Sequence, residues 1–493
     1  MAAVALGIDV GTGSTKVGLI GEDGALLAVG RGSHVIAEPR QGWSETNPAV
    51  WIDALIEATG QALNAASAAN GGTHHEVVAI GFSGQMHGVV MCDAAVTPLR
   101  PAVLWSDQRS QPYLAELRES AEAAGHPRVG NPLVAGMAGS TLAAIARQEP
   151  DVFANIATVL QVKDWVRHWL TGTLATDASD ASATLLWDPQ ADAWSAIACD
   201  LYGVDPGWLA PVRGSGEQAG TLTAEAAAAL GLSASAGIPV ATGAGDTAAA
   251  LVGAAIQPDE TQVSTGTGGQ IATLLSVPVI DETERTHLYR AAHDQRWYAM
   301  AAIQNAGIAI DWALGLLNID IEQAGQAVRN TSPGSNGIHF LPYLTGERTP
   351  HLDSSLTGVW SGLRSSATID DMVRSVFEGV AFAMRDGLDA LRDAGHVIDV
   401  ALLAGGGSTA TWWRQMLADV LDIGLVPHDA ADASVRGAGL LGWSAIGHAV
   451  DPGRAVNRLA PTEPGVASAA YAEARDGFRA VGATQTGAAY GPY

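Results

Sequence analysis

The sequence repeats one order of elements, a strand, a glycine-rich hairpin and a helix, from its start and again from about residue 243. The first hairpin loop reads GIDVGTGSTK over residues 7–16. The second reads STGTGG over residues 264–269, shortly after GAGD at 243–246. Because alternating β and α elements fold as layered domains, we predict an α/β fold of two domains with a cleft between them.

The repeat suggests where the domains divide. At 493 residues the chain exceeds what one hydrophobic core usually supports, so two domains are expected. We predict an N-terminal domain over residues 1–243 and a C-terminal domain over residues 244–450. Residues 451–493 are predicted to form a partly irregular, loosely held tail, because the Gly- and Ala-rich sequence after Pro464 has no usable period.

The charge balance restricts the partners. The formal net charge is -25, which disfavours nucleic acid and anionic membrane surfaces, since neither tolerates an uncompensated acidic face. The chain has two cysteines, no basic leader and no apolar run of membrane-spanning length. These features predict a cytoplasmic enzyme without disulfides.

The two loops have the composition of phosphate-binding loops. Glycine and hydroxyl residues let backbone N–H groups and side-chain oxygens surround phosphate oxygens. Lys16 closes the first loop and is one of only two lysines in the chain. A glycine triplet after a later predicted strand would let adenosine approach closely. The predicted ATP contacts are Gly11, Thr12, Gly13, Ser14, Lys16, Thr265, Gly266, Thr267, Gly405, Gly406 and Gly407.

Each half places an acid beside its loop. Asp246 stands where a predicted strand turns into a helix, and Asp9 holds the corresponding place in the first half. Phosphoryl transfer from ATP needs in-line placement, charge stabilisation and a carboxylate that accepts the proton of the nucleophile. We therefore predict Asp246 as the catalytic base, and Asp9 and Asp246 as Mg²⁺ ligands. The simpler interpretation is that Asp246 only caps its helix.

Polar residues also follow the apolar strand predicted over residues 77–82. The carboxyl end of such a strand is where α/β sheets bind ligands. Further along, Trp105 offers an apolar wall for a sugar, while Asp107 either binds substrate or caps the next helix. The predicted substrate contacts are Gln85, Met86, His87, Trp105, Asp107 and Asp246.

These segments, in this order, resemble the FGGY family of carbohydrate kinases, and within it the xylulokinases. The resemblance extends to about Gly447. Besides the loops and Asp246, the similar segments are GWSE at 42–45, GQMHG at 84–88, LWSDQR at 104–109, KDW at 163–165, SDAS at 179–182, FLPYLTGERTP at 340–350 and WRQMLAD at 413–419.

The resemblance implies an actin-like, ribonuclease H-like fold in each domain, with the sugar in the N-terminal domain and the nucleotide in the C-terminal domain. It implies ATP and Mg²⁺ as cofactors, and transfer of the γ-phosphoryl group to O5 of D-xylulose. In that scheme Asp246 deprotonates the 5-hydroxyl and Met86 and His87 bind the ketopentose. Asp9, Thr12 and Thr267 face the nucleotide. The expected partners are a small-molecule sugar and ATP, with a homodimer left open.

Three positions depart from the family pattern. Thr141 lies where a Lys and a Trp are usual, and Thr247 replaces an Asn. Arg436 replaces a Leu, so its charge is expected near the nucleotide or facing solvent. These departures leave a kinase of another ketopentose or polyol, for example ribulose, as the alternative. An actin-like ATP switch is the alternative of another class, but it would have no use for the segment around His87.

Overall fold

Two seven-stranded mixed sheets organise the part of the chain that the structure describes, one in each half. The structure is a computed structural model that describes residues 2–69, 71, 75–123, 130–292, 295–405, 409–430 and 432–486. In both sheets the first strand has two neighbours. On one side it pairs antiparallel with its hairpin partner, and on the other side it pairs with a parallel strand. The predicted repeat of strand, hairpin and helix is therefore confirmed.

The first sheet is built around the strand Ala3–Val10. Residues 4–8 of this strand are all buried, as expected for a strand that is covered on both faces. The strand pairs antiparallel with Ser14–Gly21 and parallel with Glu76–Gly84. In spatial order the strands are Gln218–Thr221, Pro239–Ala241, Glu76–Gly84, Ala3–Val10, Ser14–Gly21 and Leu26–Ser33, with Ala244–Gly245 also paired to Glu76–Gly84.

The second sheet repeats this arrangement with Thr261–Thr265 as its first strand. The hairpin partner of that strand is Gly269–Leu275, and its parallel partner is Val400–Gly405. In spatial order the strands are His287–Arg290, Trp297–Ile303, Gly269–Leu275, Thr261–Thr265, Val400–Gly405, Gly424–Asp429 and Asn457–Arg458. The two predicted phosphate loops thus occupy equivalent hairpin turns.

Helices cover the two large sheets, and five short two-stranded ribbons form separate small sheets within the described residues. The α-helices are Ala49–Ala69, Leu114–Ala123, Ala138–Gln148, Pro150–Phe153, Val162–Thr171, Ala178–Ala181, Ala196–Tyr202, Ala224–Ala229, Asp246–Gly253, Gly307–Leu317, Ile321–Asn330, Ile369–Asp393, Thr411–Leu421, Ala433–Ala445 and Ser468–Thr486. The ribbons pair Glu45–Thr46 with Ala102–Val103, Val90–Cys92 with Thr158–Leu160, Thr176–Asp177 with Val212–Arg213, Trp187–Asp188 with Ala193–Trp194, and His339–Leu341 with Val359–Ser361. Within the described ranges, no helix combines the length and the apolar character needed to cross a bilayer.

One helix of the second half, Ala433–Ala445, packs on the first sheet. A Cβ atom at Gly81 would lie 1.8 Å from the carbonyl oxygen of Ala438, and one at Gly437 would lie 1.8 Å from that of Ala249. Only glycine allows backbones to approach so closely. The first sheet also includes Ala244–Gly245, two residues beyond the predicted division, and the division itself stays a prediction.

The prediction of a loosely held tail is wrong for residues 468–486. These residues form a helix whose Tyr471 and Phe478 are only 3% and 1% exposed. The two rings pack against Phe382, with ring centroids 6.4 Å and 5.4 Å from its own. Buried residues recur at 471, 474 and 478, but two aromatic rings in an Ala- and Gly-rich background are too few to reveal a helical period.

Candidate active site

The first predicted phosphate loop is the turn between the strands Ala3–Val10 and Ser14–Gly21. The N–H of Gly11 donates to the carbonyl oxygen of Ser14 at 3.1 Å and closes the turn. Gly13 is exposed and Gly11 and Thr12 are half-buried, whereas Ser14 is buried. Backbone and hydroxyl groups of residues 11–13 are therefore accessible to a ligand at this end of the sheet.

Gln85 holds the first loop in place. Its backbone N–H donates to the carbonyl oxygen of Val10 at 2.9 Å, and its side-chain Nε2 donates to that of Gly11 at 3.0 Å. The side chain is 1% exposed. These bonds give Gln85 a supporting role, and its predicted contact with substrate stays a prediction.

Asp9 and Asp246 lie close enough to affect each other. Asp9 Oδ1 accepts a hydrogen bond from Ser83 Oγ at 2.7 Å. Asp246 is the first residue of its helix, and its Oδ1 accepts from the N–H of Thr247 at 2.6 Å and from Thr247 Oγ1 at 3.3 Å. Burial, together with the charge of Asp9, raises the pKa of Asp246 to about 7. Gly245 occupies the N-cap position, so the interpretation of Asp246 as a simple helix cap is wrong.

The two carboxylates fit a Mg²⁺ ion. Mg²⁺ prefers oxygen ligands and is commonly held by one or two carboxylates together with substrate phosphates. A divalent cation would also offset the repulsion that contributes to the raised pKa of Asp246. Over the described ranges, no group of three or more His, Cys, Asp and Glu side chains is placed to hold a metal. Asp9 and Asp246 therefore stay predicted ligands that would share the ion with ATP.

Lys16 joins the two halves beside these acids. Its Nζ lies 2.6 Å from Asp432 Oδ1, and both side chains are about one-third exposed. Asp432 directly precedes the helix Ala433–Ala445, and Ser434 Oγ of that helix donates to the backbone carbonyl of Asp246 at 3.3 Å. Burial raises the pKa of Asp9 above its ordinary value, and the Ser83 hydrogen bond and the positive charge of Lys16 offset part of that rise. Phosphate contact by Lys16 stays a prediction, and it would compete with this ion pair.

The second loop projects from the second sheet and contacts a helix N-terminus. Gly266 and Thr267 are exposed, and their carbonyl oxygens accept from the N–H groups of Gly307 and Ile308 at 2.9 Å and 3.0 Å. Gly405 pairs with Thr265 in the neighbouring strand. Its φ is 83°, and a Cβ atom there would lie 2.6 Å from the carbonyl oxygen of Thr265, so glycine is required. The predicted contacts Gly406 and Gly407 lie outside the described residues.

A cavity of about 160 Å³ has walls from both halves of the chain. His87 and Trp105 contribute from the first half. His287, Glu347 and Arg348 contribute from the second half. The structure thus brings two predicted substrate contacts together with three polar residues that the sequence analysis did not assign to a site.

His87 presents a hydrogen-bond acceptor. Its φ of 69° is in the left-handed region. Its Nδ1 lies 2.7 Å from the carbonyl oxygen of Ala183, so Nδ1 carries the proton and Nε2 has the lone pair. Burial lowers the pKa of His87 to about 4, so the ring is neutral near pH 7. These features favour a ligand contact over a purely structural histidine, and the sugar contact stays a prediction.

Trp105 contacts the first loop, and Met86 contacts the turn that carries Asp246. Trp105 Nε1 donates to Thr12 Oγ1 in the first loop at 2.9 Å. Met86 is 5% exposed, and its Sδ accepts from Tyr298 Oη at 3.6 Å. A Cβ atom at Gly245 would lie 2.8 Å from Met86 Cγ. Met86 therefore packs directly beneath the turn that carries Asp246.

Asp107 forms a buried ion pair and does not line the cavity. Its Oδ1 lies 2.8 Å from Arg109 Nε, and its Oδ2 accepts from the N–H of Ser44 at 2.7 Å. The side chain is fully buried and does not line the cavity. The helical turn that follows begins after Ser110, so the alternative of a helix cap is wrong. Substrate binding by Asp107 stays a prediction that its buried ion pair does not favour.

The second lysine, Lys163, supports the strand that leads to Asp246. Its Nζ lies 2.8 Å, 3.0 Å and 2.9 Å from carboxylate oxygens of Asp164, Asp177 and Asp180, all of them fully buried. Ser179 Oγ donates to Asp177 at 2.6 Å and accepts from the N–H of Gly245 at 2.9 Å. This buried charge cluster fixes the backbone just before Asp246.

Arg436 does not face solvent, and that expectation is wrong. The residue is 3% exposed. Its guanidinium donates to three backbone carbonyls, those of Gly24, Gly253 and Pro452. Arg436 therefore ties the turn between the strands Ser14–Gly21 and Leu26–Ser33 to the end of the Asp246–Gly253 helix. The other two departures are also buried, with Thr141 1% and Thr247 7% exposed.

Comparison with known proteins adds to this geometry. Residues 4–253 match the N-terminal domain of the FGGY family of carbohydrate kinases, and residues 261–446 match its C-terminal domain. The xylulose kinase of Escherichia coli (strain K12) is 34% identical over 423 residues, which are 84% of this chain and 84% of that protein. The crystal structure of a xyloylose kinase from Brucella ovis is 34% identical, covers 98% of this chain and 99% of its own, and has a TM-score of 0.88. A xylulose kinase from Rhodospirillum rubrum is 27% identical, with 98% of each chain covered and a TM-score of 0.86. These likenesses confirm the predicted fold class of two actin-like, ribonuclease H-like domains.

Proposed function

Because this chain belongs to the FGGY family of carbohydrate kinases, and is thus an ATP-dependent sugar kinase, we propose that its sugar is D-xylulose. The γ-phosphoryl group of ATP would pass to O5 and give D-xylulose 5-phosphate and ADP. The xylulose kinases among its relatives support this substrate. The observation that carries the proposal is a cavity shared by both halves. Its wall residue Trp105 bonds to Thr12 of the first phosphate-type loop, and Met86, next to His87, packs against the turn that carries Asp246, whose pKa is raised.

Asp246 is the proposed base. A general base works best when its pKa lies near the working pH, and the pKa of Asp246 is about 7. The N–H and hydroxyl of Thr247 hold one carboxylate oxygen, which leaves Oδ2 to accept the proton of the sugar hydroxyl. His87 would orient the ketose through its Nε2 lone pair.

The nucleotide would lie across the two hairpin loops. When bound, Mg²⁺ would supply charge neutralisation on the phosphate oxygens, and Asp9 and Asp246 are the residues that would hold it. Backbone N–H groups of Thr12 and Gly13, with Thr267 on the other side of the cleft, would contact the phosphates. Water should be excluded when the halves close on both substrates. A cytoplasmic location and a homodimer stay predictions.

Analysis of the reaction product tests this proposal. The enzyme is incubated with ATP, Mg²⁺ and D-xylulose labelled with ¹³C at C5, and the product is examined by ¹³C and ³¹P nuclear magnetic resonance. We expect one phosphate ester, with phosphorus coupling at C5. An ester at another carbon would refute the assignment of O5. ADP formation at the same rate without sugar would instead favour the ATP switch.

A further inference from the structure

His287 has an unused hydrogen-bonding atom at the cavity. The residue is 4% exposed and lines the cavity from the second half. Among the residues that the structure describes, no group pairs with its Nε2. A buried polar atom that is left unpaired costs about 1–3 kcal/mol. An unpaired nitrogen on a residue that lines a cavity therefore points to a ligand that pairs it.

The protonation of His287 follows from its neighbour Asn131. The Asn131 amide nitrogen donates to the carbonyl oxygens of Ser182 and Leu288 at 3.1 Å and 3.0 Å. Its Oδ1 is left as an acceptor, 3.3 Å from His287 Nδ1, so Nδ1 carries the ring proton. Burial, with the charge of Arg348 adding to it, holds the pKa of His287 well below its usual range. His287 Nε2 is then an acceptor that requires an O–H or N–H donor.

Arg348 offers the complementary groups. Its guanidinium carbon lies 4.7 Å from the centroid of the Trp105 ring, and both side chains line the cavity. Among the described residues, none forms a hydrogen bond or an ion pair with the Arg348 guanidinium. A guanidinium has five N–H donors and no acceptor. The cavity wall thus combines two imidazole acceptors, His87 and His287, with the N–H donors of Arg348.

We propose that His287 and Arg348 form the second wall of the sugar site, opposite His87, and that they determine its selectivity for ketoses. This inference rests on the proposed sugar kinase function. His287 Nε2 accepts a hydrogen bond from a ketose hydroxyl, and Arg348 donates to the ketose carbonyl or hydroxyl oxygens. An open-chain ketose supplies both hydroxyl protons and a carbonyl oxygen, so it pairs each of these groups. Both residues belong to the second half, so the sugar itself would draw the two halves together.

Three variants test this wall. In His287→Leu the acceptor is lost, in Arg348→Met the donors are lost, and His287→Gln keeps an acceptor. Arg118→Met is the matched control, because Arg118 lines the same cavity but already donates to the carbonyl oxygen of Leu133 at 2.9 Å. Loss of a ligand hydrogen bond costs about 1–3 kcal/mol, or roughly 5- to 150-fold in affinity. We expect His287→Leu and Arg348→Met to raise KM for D-xylulose by that factor, with KM for ATP changed by less than about two-fold.

Further measurements separate binding from a structural role. Calorimetry with D-xylulose alone should show the same loss of affinity as KM, and His287→Gln should recover part of it. His287→Leu should melt near the wild-type temperature, because it removes an unpaired buried nitrogen and also the hydrogen bond from Nδ1 to Asn131. A lower melting temperature with unchanged sugar affinity would overturn the inference. If His287→Leu does not fold, the sugar affinities of Arg348→Met and His287→Gln test the inference instead.

The same experiment distinguishes this inference from the proposed function. If the wild-type enzyme phosphorylates no ketose, the proposed function fails, and the wall that rests on it fails too. If the wild-type enzyme phosphorylates a ketose but the variants and the Arg118→Met control share one KM for it, only the assignment of His287 and Arg348 is overturned.

Discussion

Replacement of Asp246 by asparagine should abolish catalysis and at the same time stabilise the protein above neutral pH. Asparagine keeps the size of the side chain and can still accept hydrogen bonds from Thr247. It cannot accept the proton of the sugar hydroxyl. A positioned base contributes roughly 10²- to 10⁴-fold to the rate, so kcat should fall by at least that factor. ATP should still bind, since both hairpin loops remain intact.

The gain in stability follows from the raised pKa. The pKa of Asp246 is about 7, against 3.8 for an ordinary aspartic acid. Between about pH 4 and pH 7 the unfolded chain therefore loses this proton while the folded chain retains it, so the free energy of unfolding falls as the pH rises. Each pKa unit corresponds to 1.36 kcal/mol, which gives a cost of at most about 4 kcal/mol above pH 7. Asp246→Asn removes this cost.

Melting curves of the two proteins at pH 4.5 and pH 8 measure the effect. For a chain of 493 residues the entropy of unfolding is about 1 kcal/mol/K, so the variant should melt up to about 4 °C higher at pH 8. The difference should shrink at pH 4.5. Equal melting temperatures at pH 8, or a difference that does not change with pH, would refute the raised pKa. More than about a tenth of the wild-type kcat in Asp246→Asn would refute its role as the base.

Four further predictions follow from individual contacts. His87→Ala should raise KM for the ketose roughly 10-fold or more, with KM for ATP little changed, and equal small effects on both would contradict its assignment. Arg436→Leu should destabilise the fold by roughly 2–4 kcal/mol in denaturant titration, because three backbone carbonyls lose their donor, while the exposed control Arg454→Leu should have no effect. Phe478→Ala should cost about 3–5 kcal/mol by the same measurement, whereas Val466→Ala, at a fully exposed position, should cost nothing; equal stabilities would show that the C-terminal helix is not packed. X-ray scattering should give a smaller radius of gyration with sugar and a non-hydrolysable ATP analogue than without ligands, and an unchanged radius would count against closure of the cleft.

Local patterns were sufficient to predict the order of elements and the position of Asp246 at the start of a helix. The hairpins around residues 11–13 and 266–268 follow from glycines between apolar strands, and both occur where predicted. Asp246 was identified because a strand, a glycine and a helix start adjoin it in sequence. Such features depend on neighbours within a few residues, so a single sequence reveals them.

Groups that act through tertiary contacts were not predictable in this way. His287 and Arg348 meet His87 only because the two sheets face a common cavity, and nothing near residue 287 in the sequence indicates that. The burial of Arg436 was not predicted, because a buried arginine that donates to backbone carbonyls has no distinctive sequence pattern. The hydrogen bond between Asp107 and Ser44 joins residues 63 positions apart, and a local sequence pattern does not reveal such a contact.

The most direct test of the central claim is the specificity constant for a panel of acceptors, measured by coupled detection of ADP at saturating ATP and Mg²⁺. The panel contains D-xylulose, its C3 epimer D-ribulose, L-ribulose, xylitol and glycerol. A site that pairs buried polar groups with particular hydroxyls discriminates strongly against isomers that leave those groups unpaired. We predict the highest kcat/KM for D-xylulose, by roughly 10-fold or more over D-ribulose. A higher value for any other member of the panel, or ADP formation independent of sugar, would contradict the account.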